Sequence, residues 1–204
     1  MKREAGGMLN RAIRAADRAL RLVRGIRRFC DDPECLYRLS LGKAAEDTLL
    51  PDGTHVRAGE TIGILHLWSE HVPAIPASGA DLAWACRTLR AARRSLRLLA
   101  EHVARDPAWR EVRAFAADGL FLQAQGGGRV LEGIGFITVR PPEPLRAGGG
   151  LALRGRKLWA WLLRKAFNPR SARGLGPGDL FPRYLWLTRR ELLQRYAPRA
   201  GAGG

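Results

Sequence analysis

The chain has 204 residues, 46% of them hydrophobic, enough to bury one sizeable core, so one globular domain with ragged ends is expected and two are not. Its 35 basic and 19 acidic residues leave a formal charge of +16, a field that attracts polyanions such as nucleic acid or anionic lipid. Apolar runs stop well short of the roughly 20 residues of a membrane-spanning helix, and arginines interrupt Met8 to Ile26 where a secretory signal needs an unbroken apolar core, so a cytoplasmic chain is expected. The three cysteines, Cys30, Cys35 and Cys86, are odd in number and lack a Cys-x-x-Cys pair, which argues for reduced thiols and against a disulfide framework or a zinc site.

The basicity sits at the two ends. Residues 1–28 carry +7, 29–80 carry −5, 81–118 carry +3 and 119–204 carry +11. The excess is 31 arginines against 4 lysines, a ratio that GC-rich coding alone also produces at solvated positions.

Along the chain, residues 8 to 28 predict a helix. Leu9, Ile13, Ala16, Leu20 and Val23 recur at helical spacing, while Arg11, Arg14, Arg18, Arg21 and Arg28 gather on another side. A basic amphipathic helix of this kind either lies on an anionic membrane surface or docks its stripe on its own domain. A loop at "DDPE" leads into a strand at "CLYRLSLG", followed by a Pro-Asp-Gly turn, a short strand near His55 to Arg57 and a longer one from Thr61 to Trp68. Ser78 to Asp81 reads as a capping box for a long helix, whose stripe is Leu82, Cys86, Leu89, Leu96, Leu99 and Val103.

Asp106 and Pro107 suit the start of a second, shorter helix through Val112, Phe115 and Ala116, ended by Gly119. "GLFLQA" and "GIGFITVRPP", flanking Gly126 to Gly128, predict a hairpin at the heart of the sheet. Leu151 to Phe167 reads as a helix, "RYLWL" as the last strand, and Thr188 to Glu191 as the capping box of a terminal helix. The expected fold is α+β, a mainly antiparallel sheet of about four to five strands packed by three to four helices. Its parts are a basic amphipathic helix over 1–30, one α+β domain over 31–197 and a disordered tail over 198–204.

The residues with chemical capacity cluster in "GILHLWSEHVP". His66 and Trp68 project to one side of a strand, opposite Leu65 and Leu67. Glu70 and His71 follow where strand gives way to loop. Two imidazoles and a carboxylate suggest a metal, but the spacing fits no ligand pattern, so no metal site and no cofactor are expected. His66, Glu70 and His71 remain the catalytic candidates, since histidine titrates near neutrality and strand ends border sites. Ser40 and Ser69 lie in no nucleophile elbow. On the helix ending at Phe167, Arg154, Lys157, Trp161, Arg164 and Lys165 share one face. Such a face holds lipid headgroups with Trp at the interface, stacks a base while cations meet phosphates, or merely covers a loop.

In the order of its motifs the chain resembles the YkoP-like domain, a bacterial family known alone and fused to polysaccharide deacetylases. The stretches that carry the resemblance are "PDGTHVRAGETIGILHLWSE", "GFITVRPP", "LWAWLLRKAFNP" and "YLWLTRRELLQRY", spread over about residues 36–196. Gly59-Glu60 and Leu65-His66 match the family's run before the long helix, whereas Trp68 and Ser69 stand where the family carries an asparagine. The resemblance implies an α+β fold and association with the cell envelope. It implies no catalytic residues, since the deacetylase activity belongs to the other domain.

Together these features lead to an expected function: a non-catalytic accessory domain binding an anionic envelope partner, phospholipid or polymer. Arg11, Arg14, Arg18, Arg21 and Arg28 would form its membrane-surface contacts, and Trp68, Arg154, Lys157, Trp161, Arg164 and Lys165 its ligand contacts. Such a protein would be cytoplasmic and peripheral at the inner membrane face. Nucleic-acid binding by the same residues, or an enzyme centred on His66, are the alternatives.

Overall fold

A computed structural model of the chain describes residues 12–13, 15–17, 19, 22–68, 70–76, 78–118, 127–139, 150–167, 169, 174–180 and 184–198. Its centre is a five-stranded sheet of β1 (Tyr37–Lys43), β4 (Thr61–Leu67), β5 (Ala114–Asp118), β7 (Tyr184–Thr188) and β6 (Ile137–Val139), in the order β1-β4-β5-β7-β6. A separate two-stranded ribbon joins β2 (Thr48–Leu49) to β3 (His55–Val56). Antiparallel register pairs Leu39 with Leu65 and Phe115 with Leu187, but β4 and β5 run parallel, Gly63 opposite Phe115. The sheet is therefore mixed, not mainly antiparallel as expected. The reason is the long crossover between β4 and β5, which contains a whole helix and so can return the chain in the same direction.

That helix is α1 (Leu82–Arg105). Asp81 is its N-cap, accepting the Trp84 N–H at 2.7 Å through its side chain. Its buried stripe starts later than the spacing suggests: Leu82 is 80% exposed and Cys86 is exposed, whereas Leu96, Leu99 and Val103 are fully buried. These three pack with Leu39, Leu65, Phe115, Leu185 and Leu187 from one sheet face and with Leu192 of the terminal helix α4 (Arg189–Tyr196). Thr188 caps α4 as expected, its hydroxyl accepting the Glu191 N–H. Within this layer, Ser95 accepts the Leu36 N–H at 2.8 Å and donates to Ala91 O, which ties the start of β1 to α1. On the other sheet face Ile62, Ala114 and Trp186 pack under Leu50 and Val56 of the ribbon.

Two further expectations fail. The predicted second helix is one 3-10 turn (Pro107–Trp109) followed by strand β5. Its alanines favour a helix locally, but Phe115 is worth more as a fully buried side chain in the middle of the sheet, and tertiary packing overrides propensity. In place of the predicted central hairpin, Gly127–Gly133 forms a short helix, α2, and Ile137–Val139 pairs with β7 at the sheet edge. "GLFLQA" and Gly119 lie outside the described residues.

Ahead of the sheet, residues 12, 13, 15–17, 19, 22 and 23 have helical backbone. Ile13 is buried against Leu163 and Ala166 of α3 (Leu151–Phe167). The stripe does not continue to its predicted end, because Val23 is 85% exposed, as is its neighbour Leu22 at 83%. Arg11, Arg14, Arg18 and Arg21 lie outside the described residues, as do residues 199–204 of the predicted tail.

Candidate functional site

Of the four residues singled out at the end of the Thr61 strand, Trp68 and Glu70 meet at Arg38, and His71 stacks on Trp68. The register Arg38↔His66 places these two directly opposite across β1 and β4, so their side chains share a sheet face with Ser40. Ser40 Oγ lies 2.9 Å from His66 Nε2. One residue beyond β4, the Trp68 N–H continues the ladder to Leu36 O at 2.7 Å, and a turn closed by His71 N–H to Trp68 O doubles the chain back. The His71 ring thereby stacks on Trp68, centroids 3.7 Å apart. Its Nδ1 lies 2.9 Å from Cys35 O, and because a carbonyl only accepts, Nδ1 carries the proton. The Arg38 guanidinium sits 4.0 Å from the Trp68 centroid and pairs with Glu70 at 3.3 Å, and that of Arg28 lies 4.6 Å from the same ring.

Trp68 is only 4% exposed and Arg38 only 8%. The indole that the sequence offers as a ligand platform is thus a packing centre, its ring in contact with two guanidinium groups and an imidazole. Among the described residues no three His, Cys, Asp or Glu side chains converge as metal ligands. His66 faces a hydroxyl, His71 a carbonyl and Glu70 a guanidinium. Ser69 lies outside the described residues.

The α3 face divides. Its inner side buries Ala160 with Leu180, and Leu163 with Ala166. Arg154 and Lys165 are exposed, and Leu158 between them is 46% exposed. Trp161 is half-buried, its indole N–H bonded to Leu175 O at 2.7 Å and its ring under the Lys165 ammonium at 4.3 Å. Lys157 and Arg164 are half-buried as well. Burial lowers the pKa of the Arg164 guanidinium, and its Nη1 is enclosed without a hydrogen-bond partner among the described groups. Arg164 is therefore a poor surface contact.

The acidic 29–80 segment is engaged elsewhere. Asp32 and Glu34 pair with Arg94, Glu60 with Arg113, Glu70 with Arg38 and Asp52 with Arg190. Three of these four arginines belong to the middle of the chain, and Arg190 belongs to the basic C-terminal part.

One feature escaped the sequence. Phe29, Cys30, Leu98, Glu101, His102 and Asp106 line a cavity of about 340 Å3 at the C-terminal end of α1. His102 lies between Phe29 and Trp109, ring centroids 5.9 and 6.0 Å away. Burial lowers its pKa, opposed by Asp106 at 3.9 Å. The pairing of Arg27 with Leu39 of β1 and the ion pair of Asp32 with Arg94 of α1 bring the Phe29–Cys30 segment beside the helix, and no local spacing signals either contact.

No curated protein and no solved structure matches the chain. The family model of the YkoP domain matches residues 8–196, most of the chain's length. The matched range includes all four sequence stretches on which the resemblance rests, and the protein belongs to the YkoP domain family.

Proposed function

We propose that the protein is a non-catalytic accessory domain that binds an anionic cell-envelope surface, phospholipid foremost, through one composite basic face. The carrying observation is the burial of Ile13 against Leu163 and Ala166, which joins the basic N-terminal segment to the basic helix α3 although they are far apart in sequence. Both partners expose apolar side chains among their cations: Leu22 and Val23 beside Arg24, and Leu158 between Arg154 and Lys165. That mixture suits a headgroup boundary, where each cation near an anionic surface contributes about 1 kcal/mol and the apolar groups enter the acyl edge. A peripheral position at the inner membrane face belongs to the same proposal; no helix among the described residues is long and apolar enough to cross a membrane.

The test is sedimentation with vesicles of phosphatidylglycerol and phosphatidylcholine against phosphatidylcholine alone, at low salt. Recovery with the anionic vesicles only, lost as salt rises, supports the proposal. Equal recovery with both overturns it.

Nucleic-acid binding by the same cations is less well supported, because the Trp161 ring that would stack a base already carries Lys165. An enzyme centred on His66 has one observation in its favour, the 2.9 Å approach of Ser40 Oγ to His66 Nε2, the spacing of a nucleophile and its base. Against it, Ser40 is only 8% exposed. Turnover of a general ester substrate that Ser40→Ala abolishes would favour that reading over the first.

A further inference from the structure

The cavity of about 340 Å3 at the C-terminal end of α1 lies between two walls. One is the helix itself, where Leu98, Glu101, His102 and Arg105 follow one another at the spacing of a single face. The other is the Phe29–Cys30 segment. Phe29, Cys30 and Leu98 are half-buried and give the cavity an apolar lining, which the His102 imidazole continues, its centroid 5.9 Å from that of Phe29. Side-chain exposure rises from 28% at His102 through 35% at Glu101 and 41% at Asp106 to 79% at Arg105. The carboxylates therefore stand at the mouth, outside the imidazole.

The charge at that mouth opposes the charge of the whole. Glu101 and Arg105 pair at 3.6 Å and offset each other. Asp106 spends Oδ1 on the Ala108 N–H at 2.9 Å, and its Oδ2 lies 3.9 Å from His102 Nε2. Burial lowers the pKa of His102, so the imidazole is uncharged at neutral pH and does not neutralise Asp106. The 24 residues of α1 also end here, adding the partial negative charge of a helix C-terminus. Arg189 meets this end at Val103 O, 3.4 Å away, and Val103 belongs to the fully buried stripe rather than to the cavity face. On a chain of net charge +16, the cavity mouth is a place that favours a cation.

We propose that this cavity binds a small organic cation with a flat apolar body, in chemical class an arylalkylamine. Its ring lies in the lining of Phe29, Leu98 and Cys30, and its ammonium group points outward and donates to Asp106 Oδ2, with Glu101 adding negative charge beside it. A concave site with an apolar lining and few polar groups recognises its ligand in this way: the lining supplies affinity and the polar groups fix orientation. An anion of the same shape faces Asp106 and the helix end, and Arg105 can meet it only by leaving Glu101.

The test uses the full chain and two probes with similar bodies and opposite charges, 2-phenylethylamine and 3-phenylpropionate, titrated at neutral pH and constant ionic strength. The readout is the His102 ring signal in proton–carbon NMR spectra, identified by its loss in His102→Gln. The amine should shift this signal saturably, and the carboxylate should bind at least about tenfold more weakly. Asp106→Asn keeps an oxygen for the Ala108 N–H and removes the charge, so it should weaken amine binding about tenfold. Leu98→Trp fills the cavity and should abolish binding, and thermal unfolding shows whether that variant is folded. The proposal is overturned if the amine gives no saturable shift, if the carboxylate binds as tightly, or if Asp106→Asn or a folded Leu98→Trp protein binds the amine as the parent does.

Discussion

His71 lies flat on Trp68, ring centroids 3.7 Å apart and planes inclined by 16°. The contact closes a turn whose other stays are Arg38 on the same indole and His71 on Cys35 O. Truncating the indole removes buried aromatic surface and leaves the guanidinium of Arg38 enclosed without it. Trp68→Ala should therefore cost about 3–5 kcal/mol of stability, and His71→Ala about 1–2 kcal/mol for a lost stack and hydrogen bond. Urea unfolding of the three proteins checks this. A loss of ligand binding by Trp68→Ala with unchanged stability would instead make Trp68 a binding platform.

Gly63 on β4 has no room for a side chain. A Cβ there would lie 2.6 Å from Phe115 Cε1, and Phe115 is fully buried between the sheet and α1. Gly63→Ala should cost about 1–3 kcal/mol by overpacking. Phe115→Leu should be destabilising alone, yet the double variant should lose less than the two single losses combined, since the smaller side chain vacates the clash. Simple additivity in urea midpoints would contradict this account.

These two sites show what the sequence makes legible. Strand β4 is plain from its alternation, and with it the common face of His66 and Trp68; α3, β7 and the Thr188 cap are equally local signals. The parallel pairing of Gly63 with Phe115 is not, because nothing in "AFAAD" opposes a helix except a partner fifty residues away. The corner itself was only half legible. Glu70 and His71 follow His66 in the chain, but Arg38 and Cys35, which engage them, come from β1 and the loop before it. A tryptophan among cations reads equally as platform or packing, and only its burial decides.

His102 should make stability fall on the acid side of neutrality. Burial lowers its pKa below the ordinary 6.5, so the unfolded chain takes up a proton at a pH where the folded site still refuses it. As pH drops below about 6.5 the unfolded state gains that proton and stability declines, levelling off once folded His102 itself protonates. Above that value the effect is absent. His102→Gln should flatten this part of the pH profile in urea midpoints. An unchanged profile would mean that the site in the cavity between Phe29 and Trp109 takes up a proton as easily as the unfolded chain.

The composite basic face makes the last prediction. Arg154 and Lys165 are exposed on α3, so reversing both should cost no more than about 1 kcal/mol of stability, chiefly through the lost contact of Lys165 with the Trp161 ring. If that face meets phospholipid, removing each cation should weaken binding to anionic vesicles about fivefold, and reversal should do more. Arg87 and Arg97 are exposed on α1 and provide the control, since reversing them changes net charge by the same amount. The Arg154→Glu/Lys165→Glu variant should lose most of its vesicle-bound fraction at low salt while the Arg87→Glu/Arg97→Glu variant keeps most of its own. Equal losses would mean that total charge, not this face, draws the protein to the membrane, and the buried contact of Ile13 with Leu163 would then be packing alone.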